Sequence, residues 1–146
     1  MEIKMPERPT VSDYDELTGL WEKSVRATHS FLQKEDIAFF KSLIRNEYLF
    51  AVDLWGYKDE DGRWVAFMGV FGNKLEMLFL LPSVRRKGVG KQLIEYAVKT
   101  LGVNSVDVNE QNEQAVGFYL HQGFHVISRD ATDSTGKPYP VLHMQL

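Results

Sequence analysis

Cysteine is absent from this chain. Its absence excludes disulfides, a thiolate nucleophile and cysteine-built zinc sites. Also missing is any apolar run of the ~18 residues that a membrane span requires. The first residues lack the apolar core of a secretory leader, so a soluble cytoplasmic protein without a membrane partner is the expectation. Internal repeats and low-complexity tracts are missing too. Net positive charge is lacking: 17 Lys and Arg stand against 20 Asp and Glu, a balance of −3, which offers nucleic acid no general attraction. What remains is 44% hydrophobic and 12% aromatic, the make-up of a globular protein. The 146 residues fit one domain, 1–146, that buries ~70% of its unfolded surface.

Against this mildly acidic background one short run is basic. It reads Leu78-Phe-Leu-Leu-Pro-Ser-Val-Arg-Arg-Lys-Gly-Val-Gly-Lys-Gln-Leu93. An apolar strand ends at Pro82, a basic loop follows, and Gly88 and Gly90 open an amphipathic helix. Glycine there lets backbone N–H groups turn toward a ligand that a Cβ would block. Those groups sit at the positive end of a helix, and Arg85, Arg86, Lys87 and Lys91 add cationic donors. The combination points to an anion site, and a diphosphate suits it. The spelling is not a Walker loop, because Arg85 and Gln92 stand where that loop has Gly and Ser or Thr. Nor is it a dinucleotide fingerprint, whose third Gly falls on Leu93.

Hydrophobic periodicity places the other elements. Ile3 to Arg8 reads as a short strand, and Ser12 or Asp13 caps a helix to about Ala27 with Leu17, Leu20, Trp21 and Val25 inward. Thr28 to Gln33 is a loop, and Lys34 to about Asn46 is a second helix. Strands are expected at Tyr48–Leu54, Trp64–Phe71 and Leu75–Leu81, the last two joined by a Gly72-Asn73 turn. A helix from Gly88 to about Leu101 precedes a strand at Val103–Val108. The helix Asn112–Gln122 is stopped by Gly123, and Phe124–Arg129 and Val141–Leu146 form antiparallel strands around a polar loop. Such an order makes an α+β or α/β sandwich.

The segment Val106-Asp-Val-Asn-Glu-Gln-Asn112-Glu-Gln-Ala115-Val-Gly-Phe118-Tyr119-Leu-His-Gln-Gly123-Phe124 follows the basic loop by about 20 residues. Together with Arg85-x-x-Gly88-x-Gly90 after Leu-Pro, it resembles the paired conserved blocks of the GNAT superfamily of N-acetyltransferases. The resemblance covers roughly residues 75 to 128. It implies a mixed six- or seven-stranded sheet flanked by about four helices, and acetyl-CoA as cosubstrate without a metal. In one place the spelling departs: Arg86 stands where Gly is frequent.

The same resemblance assigns candidate roles. The acetyl-CoA site would comprise Phe79 and Leu80 at the strand end, the loop residues Arg85, Arg86, Lys87, Gly88, Val89, Gly90 and Lys91, and Asn109, Asn112 and Tyr119. Tyr119 is the candidate general acid for the departing thiolate. Its phenol is protonated at neutral pH, and helical spacing sets it on one face with Asn112 and Val116. Glu76, the lone carboxylate of an apolar strand, is the candidate base, and Glu110 is held in reserve. For the acceptor substrate the candidates are His29, Phe31, Glu110 and Tyr139. Tyr139, held extended between Pro138 and Pro140, would serve either as a second hydroxyl donor or as a stiff strand entry. His121 and His125 flank the Gly123 break and no HExxH occurs, so a metal is not expected.

These residues lead to an acetyl-CoA-dependent N-acetyltransferase that acetylates a small-molecule amine, or an exposed protein amine, by direct attack in a ternary complex. The short 28–33 loop favours the small molecule. The alternative is a non-catalytic acetyl-CoA or CoA sensor, and a homodimer through an exposed strand is left open.

Overall fold

The computed structural model describes residues 5–146. The Asp13 carboxylate accepts from the Thr10 N–H at 2.8 Å, a short-range cap that opens the way into α1 (Tyr14–Thr28). Leu17, Leu20, Trp21 and Val25 are buried along α1 as their spacing predicts. After a short loop, α2 (Lys34–Leu43) continues through a π turn, Ile44–Tyr48, and one further helical turn, Leu49–Ala51.

The expected strand at Tyr48–Leu54 is therefore corrected: extended pairing begins only at Asp53. The apolar run is too short for periodicity to separate helix from strand. The π turn sets Ile44 and Leu49, five residues apart, both into the core. Phe50 turns outward against the edge of Tyr14, with ring centroids 4.9 Å apart. The expected strand at Ile3–Arg8 falls partly on residues 1–4, outside the described residues. Within the described part, Glu7 forms a single bridge to Gly56.

The sheet contains β1 (Asp53–Lys58), β2 (Trp64–Phe71), β3 (Lys74–Leu80), β4 (Ser105–Asn109), β5 (His125–Asp130) and β6 (Val141–Gln145). Their spatial order is β1-β2-β3-β4-β6-β5, with β3 and β4 parallel and every other neighbouring pair antiparallel. Gly72, at φ +60°, makes the tight β2–β3 turn. Between β3 and β4 lies α3 (Val89–Lys99), and α4 (Glu113–His121) leads to Gly123, whose φ of +99° ends it. This is the expected mixed α/β sandwich, six-stranded among the described residues and flanked by four longer helices.

One core cluster joins α1 and α2 to the sheet through Leu54, Phe67 and Met77. The other joins α3 and α4 through Met68, Leu75, Val106 and Met144. Covered on both faces, β2 is buried from Trp64 to Val70. Every residue of edge strand β5 is exposed. His143 on β6 lies 2.6 Å from both Asp107 on β4 and Asp130 on β5. Those carboxylates, Asp130 foremost, raise its pKa, so it acts as a cross-strand tie. No described helix is long and apolar enough to cross a membrane.

Two irregularities open the sheet. β3 and β4 pair only at Lys74↔Ser105 and Leu75↔Val106, then part. The β2–β3 register skips from Gly69↔Met77 to Val70↔Leu75, leaving Glu76 as the extra residue of a bulge.

Candidate active site

Where β3 and β4 separate, a cleft of about 670 Å³ opens. Its walls include β3 from Leu75 to Leu80, β4 from Val106 to Asn109, the N-terminal end of α3 and one side of α4. Among the described residues the β3 edge that faces β4 has no strand partner beyond Leu75, which leaves backbone donors and acceptors to meet amide groups of a ligand. Phe79 and Leu80 lie on this wall.

Arg85, Arg86, Gly88, Gly90 and Lys91 line the far end. Among the described residues no side chain caps α3, so its first N–H groups remain available to an anion. Gly88, at φ +82°, lies against open space: a Cβ there would meet no atom of the described residues within 4 Å. Arg86 carries φ +63°. It keeps the left-handed backbone that glycine adopts freely, at a cost of ~1–2 kcal/mol. Of the expected loop residues, Val89 packs against the core and Lys87 does not line the cleft. A run of cations, uncapped N–H groups and a bare strand edge fits acetyl-CoA, whose pyrophosphate and amides call for those partners.

Tyr119 projects into the same cleft and is 6% exposed. Among the described residues its hydroxyl has no hydrogen-bond partner, and burial raises its pKa, so it stays protonated. Asn112 also reaches the cleft, but as the N-cap of α4: its Oδ1 accepts from the Ala115 N–H at 3.3 Å. Asn112, Ala115, Phe118, Tyr119 and Gln122 all line the cleft, and Val116 packs against the core. Asn109 lines the cleft and accepts from the Gln111 N–H at 3.1 Å.

Glu76, the extra residue of the bulge, lines the cleft. Partial burial raises its pKa, with a further rise from Asp107 and opposition from Lys74. Glu110, the reserve base, lies outside the cleft lining. It is held by Arg129 in a two-pronged pair at 2.7 and 2.9 Å, which lowers its pKa.

A smaller cavity of about 190 Å³ adjoins the cleft, sharing His29, Phe79 and Asn109 with it. Trp21, Val25, Leu32, Phe40 and Tyr139 supply its walls. His29 packs against Phe31 with ring centroids 5.1 Å apart and planes tilted by 48°, and Phe31 in turn lies 6.0 Å from Tyr139. Burial, aided by the Arg85 charge, pushes the His29 pKa down to about 4. The Tyr139 hydroxyl is not a second donor in the main cleft: it donates to Asp36 on α2. Sequence reasoning missed Ser24 and Thr28, at the end of α1, as cleft residues. Their signal is faint, two hydroxyls that continue the inward-facing stripe of α1 toward His29.

A cleft between parting parallel strands, floored by an uncapped glycine-led helix, invites comparison with acetyltransferases. The family model of the acetyltransferase (GNAT) domain matches residues 32–143. The chain belongs to the GNAT superfamily. Its activity is acetyl transfer to an amine, with acetyl-CoA as the donor. This GNAT protein is 42% identical over 130 residues to the peptidyl-lysine N-acetyltransferase YjaB of Escherichia coli (strain K12), covering 89% of this chain and 88% of that one. The solution structure of apo-form YjaB from Escherichia coli superposes with a TM-score of 0.86 at 39% identity, covering 96% and 95% of the two chains. The PaiA N-acetyltransferase of Thermoplasma acidophilum, solved in complex with coenzyme A, shares the fold at a TM-score of 0.72 and 20% identity, over 97% and 98%.

Proposed function

We propose that this enzyme acetylates the side-chain amine of lysine in other proteins. The likeness to a peptidyl-lysine N-acetyltransferase over 89% of the chain carries the reading. The small cavity supports it: about 190 Å³ of largely aromatic and aliphatic wall suits the tetramethylene stem of a lysine, delivered to the main cleft at Phe79. This sets an exposed protein amine ahead of the small-molecule amine that the short 28–33 loop favours.

In this reading the loop from Arg85 to Lys91 and the α3 N-terminus hold the pyrophosphate. The free β3 edge beside Phe79 and Leu80, with Asn109 and Asn112, holds the pantetheine arm and orients the thioester. Glu76 takes the proton of the arriving ammonium, directly or through water. The neutral nitrogen bonds to the carbonyl carbon as the carbon–sulfur bond breaks. Tyr119 gives its proton to the departing sulfur and is reprotonated at the expense of the new amide nitrogen. No enzyme-bound acetyl group is needed, since the chain has no cysteine.

The test is thiol release from acetyl-CoA with lysine-containing peptides set against polyamines, aminoglycosides and free basic amino acids. Higher kcat/KM for the peptides is expected, and turnover confined to the small amines overturns the lysine assignment.

A further inference from the structure

Four hydrogen-bond contacts fix the protonation of His29. Thr28 Oγ1 lies 2.8 Å from the Ser24 carbonyl oxygen and 2.8 Å from His29 Nδ1. A carbonyl can only accept, so the single Thr28 hydroxyl hydrogen goes to Ser24. Toward His29 the Thr28 oxygen must then accept, which requires hydrogen on Nδ1. The other edge of the ring agrees. Asn112 Oδ1 is engaged by the Ala115 N–H, so its Nδ2 is the group that faces His29 Nε2, at 3.5 Å. A donor there calls for a bare Nε2, whereas hydrogen on Nε2 would set donor against donor. The low pKa of about 4, caused by burial and then by Arg85, keeps the ring neutral at neutral pH.

We infer that His29, held as the Nδ1–H tautomer by Thr28, accepts a hydrogen bond through Nε2 from the attacking amine and aims its lone pair at the thioester. The location carries this. His29 borders both the donor cleft and the small acceptor cavity, whereas Glu76 borders the donor cleft alone. An amine arriving along the small cavity, whose wall includes Asp133, meets His29 and Phe79 where the two spaces adjoin, while Glu76 lies in the donor cleft beyond. The Asn112 contact is at the outer limit of hydrogen bonding, so an incoming N–H readily replaces it. Once the amine is neutral, it donates one hydrogen to Nε2 and keeps its lone pair for the carbonyl carbon. His29 thereby acts as a catalytic residue by direct contact, Thr28 as the positioning residue behind it, and Glu76 keeps the role of proton acceptor.

The inference rests on the lysine-acetyltransferase reading for its substrate, but its first test needs no acceptor. Long-range proton–nitrogen NMR correlations of the histidine rings in the wild-type protein should show His29 protonated on Nδ1 at neutral pH. A ring protonated on Nε2 overturns the proposal. The second test is kinetic. His29→Phe should lower kcat/KM for the acceptor at least tenfold, roughly 1.4 kcal/mol, with acetyl-CoA affinity unchanged. Thr28→Val should move the same parameter in the same direction, and Thr28→Ser, which keeps the hydroxyl, should restore it. Full activity in a folded His29→Phe protein, or equal losses in Thr28→Val and Thr28→Ser, contradicts the assignment.

Discussion

The Tyr139 hydroxyl donates a hydrogen bond to the Asp36 carboxylate, and the Lys137 ammonium reaches the other oxygen of that carboxylate at 2.8 Å. The two contacts fasten the 131–140 loop to the first turn of α2, beside the small cavity. They hold the Asp36 carboxyl below the usual carboxylate range, Lys137 foremost. A depressed carboxyl stabilises the fold fully above its unfolded pKa, and this is lost as pH falls through the folded value. Thermal unfolding should therefore show wild type above Asp36→Asn at neutral pH, with the gap closing only below about pH 4. Parallel curves across that range would remove the clasp from the account. Tyr139→Phe should also raise the acceptor KM by roughly fivefold, the order expected for one lost hydrogen bond.

Arg86 and Gly88 share left-handed backbone in the phosphate loop, at φ +63° and +82°. Only the first incurs a cost. Arg86→Gly should stabilise the protein by ~0.5 kcal/mol, the left-handed penalty less the extra freedom of an unfolded glycine. Gly88→Asp sets a carboxylate where phosphate oxygens belong, and calorimetry should find acetyl-CoA affinity at least tenfold weaker, roughly 1.4 kcal/mol. Unchanged affinity in the folded variant would move the pyrophosphate elsewhere.

Tyr119 is buried in the cleft wall with its hydroxyl unpaired among the described residues. Tyr119→Phe should lower kcat by ~10²-fold while acetyl-CoA binding stays near wild type. A variant that keeps its turnover would show that solvent protonates the thiolate.

Glu76 titrates above the ordinary glutamate range because of partial burial, with the Asp107 charge adding to it and Lys74 opposing it. Below that pKa it is protonated and unable to take the ammonium proton. Glu76→Gln should lose most of kcat/KM near neutral pH and progressively less at alkaline pH, where more of the amine is already neutral. Superimposable pH profiles would leave Glu76 without a part in proton transfer.

The donor half of the site is legible in sequence because local rules write it. A strand, two glycines and four cations lie within one contiguous stretch, and Asn112 and Gly123 bracket α4 as its cap and stop. The acceptor half is not. Asp36 and Tyr139 are 103 residues apart, and His29 and Asn112 are 83 apart, separations that no local pattern encodes. The bulge at Glu76 was hidden for another reason. Leu75 and Met77 look like one face of a regular strand, yet the extra residue sends them to opposite cores. The helical continuation over 48–51 was masked by an apolar run that reads equally as a strand.

The most direct measurement is the site of the acetyl group in the product. A lysine-containing peptide with a free N-terminus is incubated with acetyl-CoA and the enzyme, and fragment masses locate the added group. Acetylation on lysine Nζ, strongly slowed by Tyr119→Phe, is the predicted result. Acetylation confined to the α-amine, or none on any peptide while a small amine is turned over, would contradict it.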